Sequence, residues 1–336
     1  MIKLLLAFIL PALLAAAAPA PVGYDLYVAA AVNKGYVIGS KIVTMNGLFR
    51  RSQQGEWQHI GYNDTSIRSF AIDPRDSRVI YTAANNGCWR SLDGGATWRI
   101  TTDWTLTEPL QVTLDPGAPD HVYLAVPDGV VVSHDRGQTW HRRETGLPDR
   151  GKYTQTIQVD RTHMGRVLAG CESGIYLTDD GAMKWRRVLA TDTTVDDLQQ
   201  SPHDPQNWLA VTQSNGAWSS HDGGRSWQQL AGVTSRKPLY CVVFDSTNPR
   251  RVAIGGWAEG VLTSEDGGKT WVTRNAGLPD GHRVKRLAVE PGSGRLYAGV
   301  TGEGLFVSED FGHTWKHDGF ESSDITSFVF VPVLTK

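Results

Sequence analysis

The chain has 336 residues, 40% of them hydrophobic and 20% charged, which is long and apolar enough for a sizeable core and rules out disorder as its main state. Its formal net charge of −2 comes from 33 basic and 35 acidic side chains spread along the chain, so no basic face for nucleic acid or anionic lipid stands out. Cys88, Cys171 and Cys241 cannot all pair within one chain, and each sits in a strand-like run among apolar or small neighbours, where a buried thiol is expected.

In chain order, Met1-Ile2-Lys3 gives a short positive start, an apolar run follows from Leu4 to Ala18, and small residues continue to Ala20. This pattern predicts a signal peptide over 1–17, with cleavage after Ala17 or as late as Ala20. Residues 18–35 are expected to be a lead-in to one domain over 36–336. Pro11 interrupts the apolar run, which ends before Tyr24-Asp25, and no later stretch reaches the roughly 20 apolar residues of a membrane span. The mature chain is therefore expected to be exported, to the periplasm or cell exterior, without a span.

From there a unit repeats. Asp93, Asp135, Asp222, Asp266 and Asp310 each stand two residues after a serine and five before a tryptophan, in the form S-x-D-x-G-x-[ST]-W. A sixth copy keeps Asp180 and Trp185 but loses the second glycine, and a seventh, Ser52 to Trp57, is two residues short and has no aspartate. The tryptophans at Trp57, Trp98, Trp140, Trp185, Trp227, Trp271 and Trp315 recur every 41 to 45 residues, the length of a four-stranded propeller blade. Turn residues such as Asn85-Asn86-Gly87 and Asp93-Gly94-Gly95 cut each period into inner, second, third and outer strands.

Inner strands are expected to open near Ile67, Leu110, Thr154, Val195, Leu239, Val284 and Ile325, and second strands near Val37, Val79, Val122, Val167, Trp208, Val252 and Leu296. The count closes one way: the N-terminal part supplies the last three strands of a blade whose inner strand is 325–331. The fold class is thus all-β, a seven-bladed propeller closed by pairing its two ends, which removes an open sheet edge. The box aspartates are expected to accept N–H groups of their own turns, and the tryptophans to fill the wedges between blades. One identical carboxylate per blade points to a folding role, so no catalytic residue is assigned among them.

These residues resemble the Asp-box, or bacterial neuraminidase, repeat, from about Tyr36 onward. Such repeats occur in sialidases, two-propeller xyloglucanases, sortilin-like receptors and the photosystem II stability and assembly factor family, so the resemblance implies the fold and leaves function open. The arginine motif that opens sialidase-like enzymes has its nearest match at Phe49-Arg50-Arg51, without the isoleucine-proline that follows it there. Xyloglucanase-like enzymes set their acids between two propellers, and this chain has room for one. Acids remain on ligand-facing turns, namely Glu172, Glu259, Glu303, Asp196 and Asp197, so a glycosidase pair stays open. Gly267-Gly-Lys-Thr270 lacks the leading glycine of a phosphate loop, the ten histidines show no metal-ligand spacing, and no cofactor is expected.

Aligned on the turn prolines, the inner strands place Arg68, Leu110, Gln155, Asp196, Tyr240, Lys285 and Thr326 in one column. Ser69, Gln111, Thr156, Asp197, Cys241, Arg286 and Ser327 form the next. Both are expected to line the central channel, with the polar groups mostly satisfied among themselves. The loops add Trp104, Arg150, Lys152, Tyr153, Arg236, Lys237, Trp257, Arg274, His282 and Arg283. Arg68, Gln111, Gln155, Asp196, Asp197, Tyr240, Trp257, Arg283, Lys285 and Arg286 are the candidate binding residues. A rim of arginines and aromatics suits an acidic protein surface or a glycan. The leading expectation is a non-enzymatic exported scaffold that binds other envelope proteins. The alternative is a sialidase-like or other Asp-box glycoside hydrolase, or a glycan-binding protein.

Overall fold

The computed structural model describes residues 23–32, 46–64 and 66–333; the expected signal peptide lies outside them. Their regular structure is 28 strands in seven four-stranded antiparallel sheets, a seven-bladed propeller. Among the described residues no helix is long and apolar enough to cross a membrane. Blades 1 to 6 take their strands in sequence order from the inner strands Ser69–Asp73, Gln111–Leu114, Thr154–Val159, Val195–Gln200, Leu239–Phe244 and Val284–Val289. The second strands Val122–Val126, Val167–Cys171, Trp208–Thr212, Val252–Gly256 and Leu296–Val300 are buried along their whole length. Neighbouring blades cover both faces of a sheet there, so these strands read as apolar runs without alternation.

The seventh blade joins the two ends of the chain. Its inner strand is Ser323–Val333, followed outward by Gly23–Val32, Gly47–Arg51 and Trp57–Ile60. Pairing runs from Gly23 opposite Val333 to Val32 opposite Ser323. Closure by the C-terminal strand is as expected, but the second strand differs. Gly23–Val32 takes the place expected near Val37, and most of the expected lead-in over 18–35 that is described is strand. Val37 itself lies outside the described residues. The cause is the short box copy at Ser52 to Trp57, which gives no reliable count backwards. What fixes the strand is its two apolar faces: Leu26, Val28 and Ala30 pack with Tyr297 and Leu305 of blade 6, and Tyr27 and Ala29 pack with Phe70 and Ile72 of blade 1.

The box turns have one geometry. Asp93 Oδ1 accepts the Ser91 hydroxyl and the Thr97 N–H, both at 2.8 Å, and Oδ2 accepts the Thr97 hydroxyl at 2.5 Å. Asp135, Asp222, Asp266 and Asp310 repeat these bonds. Asp180 keeps only the Thr178 hydroxyl at 2.6 Å and the Lys184 N–H at 3.0 Å, because lysine replaces the second hydroxyl. The second glycine is needed for space as well as conformation: at Gly95, φ is 91° and a Cβ would stand 2.1 Å from Ile60 Cγ2 of the preceding blade.

The tryptophans of the six boxes that carry an aspartate divide into two sets. Trp98, Trp227 and Trp271 donate Nε1–H to carbonyls of their own turns, at 2.9, 3.0 and 3.0 Å. Trp140, Trp185 and Trp315 reach the preceding blade instead, at Thr101 Oγ1 (3.2 Å), Arg143 O (2.8 Å) and Arg274 O (2.9 Å). Each of the seven seams, that of Trp57 included, holds a box indole in a cluster shared by two neighbouring blades, as a wedge between diverging sheets requires.

Candidate functional site at the channel mouth

Strand alternation puts the Asp boxes at one end of the ring and the openings of the inner strands at the other. At that second end every inner strand begins with an extra residue. Gln155, Asp196, Tyr240, Lys285 and Thr326 are each skipped in the pairing with the second strand. Arg68 and Leu110 hold the same place, donating N–H to Ala83 O and Ala125 O, the partners of their successors. A bulge breaks the alternation of side chains, which explains how two consecutive columns face one channel. The channel is a cavity of ≈ 470 Å³ lined by residues of both columns, including Arg68, Gln111, Gln155, Asp196, Asp197 and Arg286. Tyr240 and Lys285 stand outside that lining, on the rim.

The second column stitches the blades together. Ser69 Oγ accepts from Val112 N (3.4 Å), Gln111 Oε1 from Ile157 N (2.6 Å) and Asp197 Oδ2 from Val242 N (3.0 Å). Arg286 donates to Thr326 O (3.0 Å), Lys285 O (3.0 Å) and Tyr240 O (3.3 Å), and the Thr326 hydroxyl donates to Ile67 O (2.7 Å). Blades 3 and 4 are joined lower in the channel instead, where Gln200 accepts from Arg161 N (3.0 Å) and donates to Asp160 Oδ1 (2.8 Å), while Thr156 Oγ1 at the mouth is buried without a partner among the described residues. The channel is therefore largely satisfied from within, and Arg286 and Asp197 hold blades together whatever else they do.

Asp196 and Asp197 differ despite adjacency. Asp197 Oδ1 also accepts Leu198 N–H (2.9 Å) and Gln199 Nε2–H (3.2 Å), so both its oxygens are engaged. Asp196 Oδ2 is shielded from solvent and accepts no hydrogen bond from a described residue. Burial pushes Asp196 up to about 7 against the opposing pull of Arg286, and Asp197 to about 6, where the Val242 N–H resists the shift. Burial likewise lowers the Lys285 ammonium, with the like charge of Arg286 adding to it.

On the rim, the Arg283 guanidinium lies 4.6 Å above the exposed Trp257 ring, and Tyr240 meets that ring edge-on at 6.4 Å. Left-handed backbone flanks the stack on both sides, at Ala258 (φ 62°) and His282 (φ 44°). Such conformations in residues other than glycine persist where the surroundings hold them. Trp104 is 87% exposed. Lys152 and Lys237 pair with Glu144 (2.5 Å) and Glu259 (3.6 Å), and Arg274 belongs to a blade seam, its carbonyl taken by Trp315. Among the described residues no three His, Cys, Asp or Glu side chains converge as a metal site requires.

A second recurring acid, present in four of the seven blades, carries a structural role not read from the sequence. Asp73, Asp115, Asp160 and Asp245 close the far ends of inner strands by accepting the N–H two residues on, at 2.8 to 3.0 Å. Its signal was present in Asp73-Pro74 and Asp115-Pro116, beside the prolines used for alignment.

Comparison with known proteins agrees with this geometry. The BNR-Asp box repeat family matches residues 305–317, and the sortilin family (sortilin, neurotensin receptor 3) matches 128–243. The chain is a seven-bladed β-propeller that resembles both families over part of its length. A xyloglucanase of Paenibacillus sp is 26% identical over 226 residues, 60% of this chain but 20% of that enzyme. The GH74 xyloglucanase structure from Xanthomonas campestris superposes with a TM-score of 0.66 at 17% identity, covering 94% of this chain and 55% of the other. The photosystem II assembly lipoprotein Ycf48 of Synechococcus sp. (strain CC9902) is 25% identical over 183 residues, 52% of this chain and 51% of Ycf48. A structure of Ycf48 bound to D1 peptide gives a TM-score of 0.56 at 18% identity, over 75% of this chain and 81% of Ycf48. This propeller therefore spans only part of the curated relatives it matches.

Proposed function

We propose that this propeller is a non-enzymatic, exported protein that docks another protein on its channel-mouth face and serves as a binding or assembly scaffold in the periplasm or cell envelope. The observation that carries the reading is the ring of bulge residues at the mouth, bordered by the preformed Trp257–Arg283 stack. Arg283 has no ion-pair partner among the described residues, and an exposed aromatic with a free guanidinium is the usual anchor of a protein contact. Ycf48 with its bound D1 peptide is an example of such a propeller taking a protein segment. The apolar start of the chain supports export.

Affinity capture from the native envelope tests this, comparing the wild type with Arg283→Glu, Lys285→Glu and Trp257→Ala. Arg286 is left alone because it joins three main-chain carbonyls. A partner recovered equally by all four proteins would refute docking at this face.

A second reading, a glycoside hydrolase, draws on the xyloglucanase relatives and on Asp196, a carboxyl raised to about 7 as a general acid would be. Against it, the adjacent Asp197 has both oxygens occupied. Release of reducing ends from xyloglucan, lost in Asp196→Asn, would favour the enzyme.

A further inference from the structure

Asp196 is the one acid in the bulge column, and the groups around it are unequal. Arg286, whose charge reaches it, spends its guanidinium on the carbonyls of Tyr240, Lys285 and Thr326. Asp197, on its own strand, is engaged at both oxygens. Tyr240 faces it from blade 5 and Tyr153 from blade 3, both phenols raised, first by burial and further by the Asp196 charge. Glu172 and Glu108 lie on the Tyr153 side together with Arg68, while Lys285 on blade 6 has Arg286, Asp324 and Arg68 as its charged neighbours. No described residue donates to Asp196 Oδ2, the oxygen shielded from solvent, so the anion is poorly held there although the residue lines the cavity. With that proton in place, Asp196, Arg68 and Lys285 all present donors to whatever enters the mouth.

We infer that the mouth receives a carboxylate of an acidic segment of the partner, with the acid form of Asp196 as one donor beside Arg68 and Lys285, so that docking takes up a proton. This rests on the docking function proposed above and adds to it the chemistry of the partner and a dependence on pH. An anion beside Asp196 penalises its ionised form, so the bound state keeps the proton to higher pH than the free state. Affinity is then flat well below pH 7 and weakens above it. If only the acid form binds, the apparent Kd rises about tenfold between pH 6 and pH 8.

The probe is hexaglutamate with a fluorophore on its N-terminus, whose side-chain carboxylates stay ionised over that range, titrated by fluorescence anisotropy at constant ionic strength. The wild type is expected to weaken about tenfold from pH 6 to pH 8. Asp196→Asn keeps a donor without the charge, and its Kd is expected to stay within about twofold of the pH 6 wild-type value throughout. His282 is also on the rim and can gain a proton, so the Asp196→Asn arm decides the source of the dependence. Calorimetry of the wild type at pH 7, in buffers of different ionisation heat, reads proton uptake without relying on a variant that must fold. Equal affinity at pH 6 and pH 8, a dependence that survives in Asp196→Asn, or zero proton uptake would overturn the coupling and leave docking standing. No binding of the wild type at any pH would remove both.

Discussion

The two classes of box tryptophan make a quantitative test of what holds the blades together. Trp185 is 2% exposed, packs among Tyr123, Val130 and Val132 of blade 2, and donates across the seam to Arg143 O at 2.8 Å. Trp185→Phe removes that hydrogen bond, about 1 kcal/mol net, and leaves the carbonyl of half-buried Arg143 without its donor for about 1 kcal/mol. The smaller ring adds a cavity cost of about 1 kcal/mol, giving a loss of about 3 kcal/mol. Trp98→Phe is the matched control. Its indole is only half-buried and donates within its own turn, to Gly95 O at 2.9 Å, where water can replace it, so about 1 kcal/mol is expected. The contrast is sharpened because the Trp185 turn rests on Asp180, which makes fewer bonds than the other box aspartates. Urea unfolding followed by circular dichroism measures both, provided the m-value is unchanged. If Trp98→Phe cost as much as Trp185→Phe, the seam bond would not be the difference that matters.

Three further outcomes follow from the same contacts. Ending the chain at Phe320 removes the 11-residue inner strand of blade 7 and leaves Gly23–Val32 as an open edge, so aggregation on size exclusion is expected, whereas a chain ending at Val333 should elute as a folded protein. Asp93 is held down to about 2, first by the Thr97 hydroxyl and then by the Thr97 N–H. Its folded pKa lies below the unfolded one, so its contribution is present above about pH 4 and lost as the pH falls through about 2. Wild-type and Asp93→Asn urea midpoints should therefore differ at pH 7 and converge near pH 2; a constant gap would count against the bonding described. Cys88, Cys171 and Cys241 are buried, and burial pushes each thiol up to about 12. A disulfide reagent at pH 8 should find no fast-reacting thiol in the native protein and all three after denaturation, and early reaction of any one would show that its blade opens.

How much of this was legible depends on how local the cause is. The box is local: serine, aspartate and hydroxyl lie within a few residues and satisfy one another, so five intact and two degenerate copies carry the period, the blade number and the closure within the sequence itself. Where the local signal decays, at Ser52 to Trp57, the reading slipped to Val37, because only packing against Tyr297 and Phe70 from distant parts of the chain marks Gly23–Val32 as the second strand. The channel columns were readable as columns, but not the bulge that makes both face inward, since no residue type is common to Arg68, Leu110, Gln155, Asp196, Tyr240, Lys285 and Thr326. The clearest limit is Asp196-Asp197. Two identical letters in sequence have opposite fates, because the Val242 N–H of the next blade reaches one of them and no described residue donates to the buried Oδ2 of the other. A per-blade repeat records what every blade must do alone. The residues that set the mouth apart are defined by which blade stands beside which, and that is settled only when the ring closes.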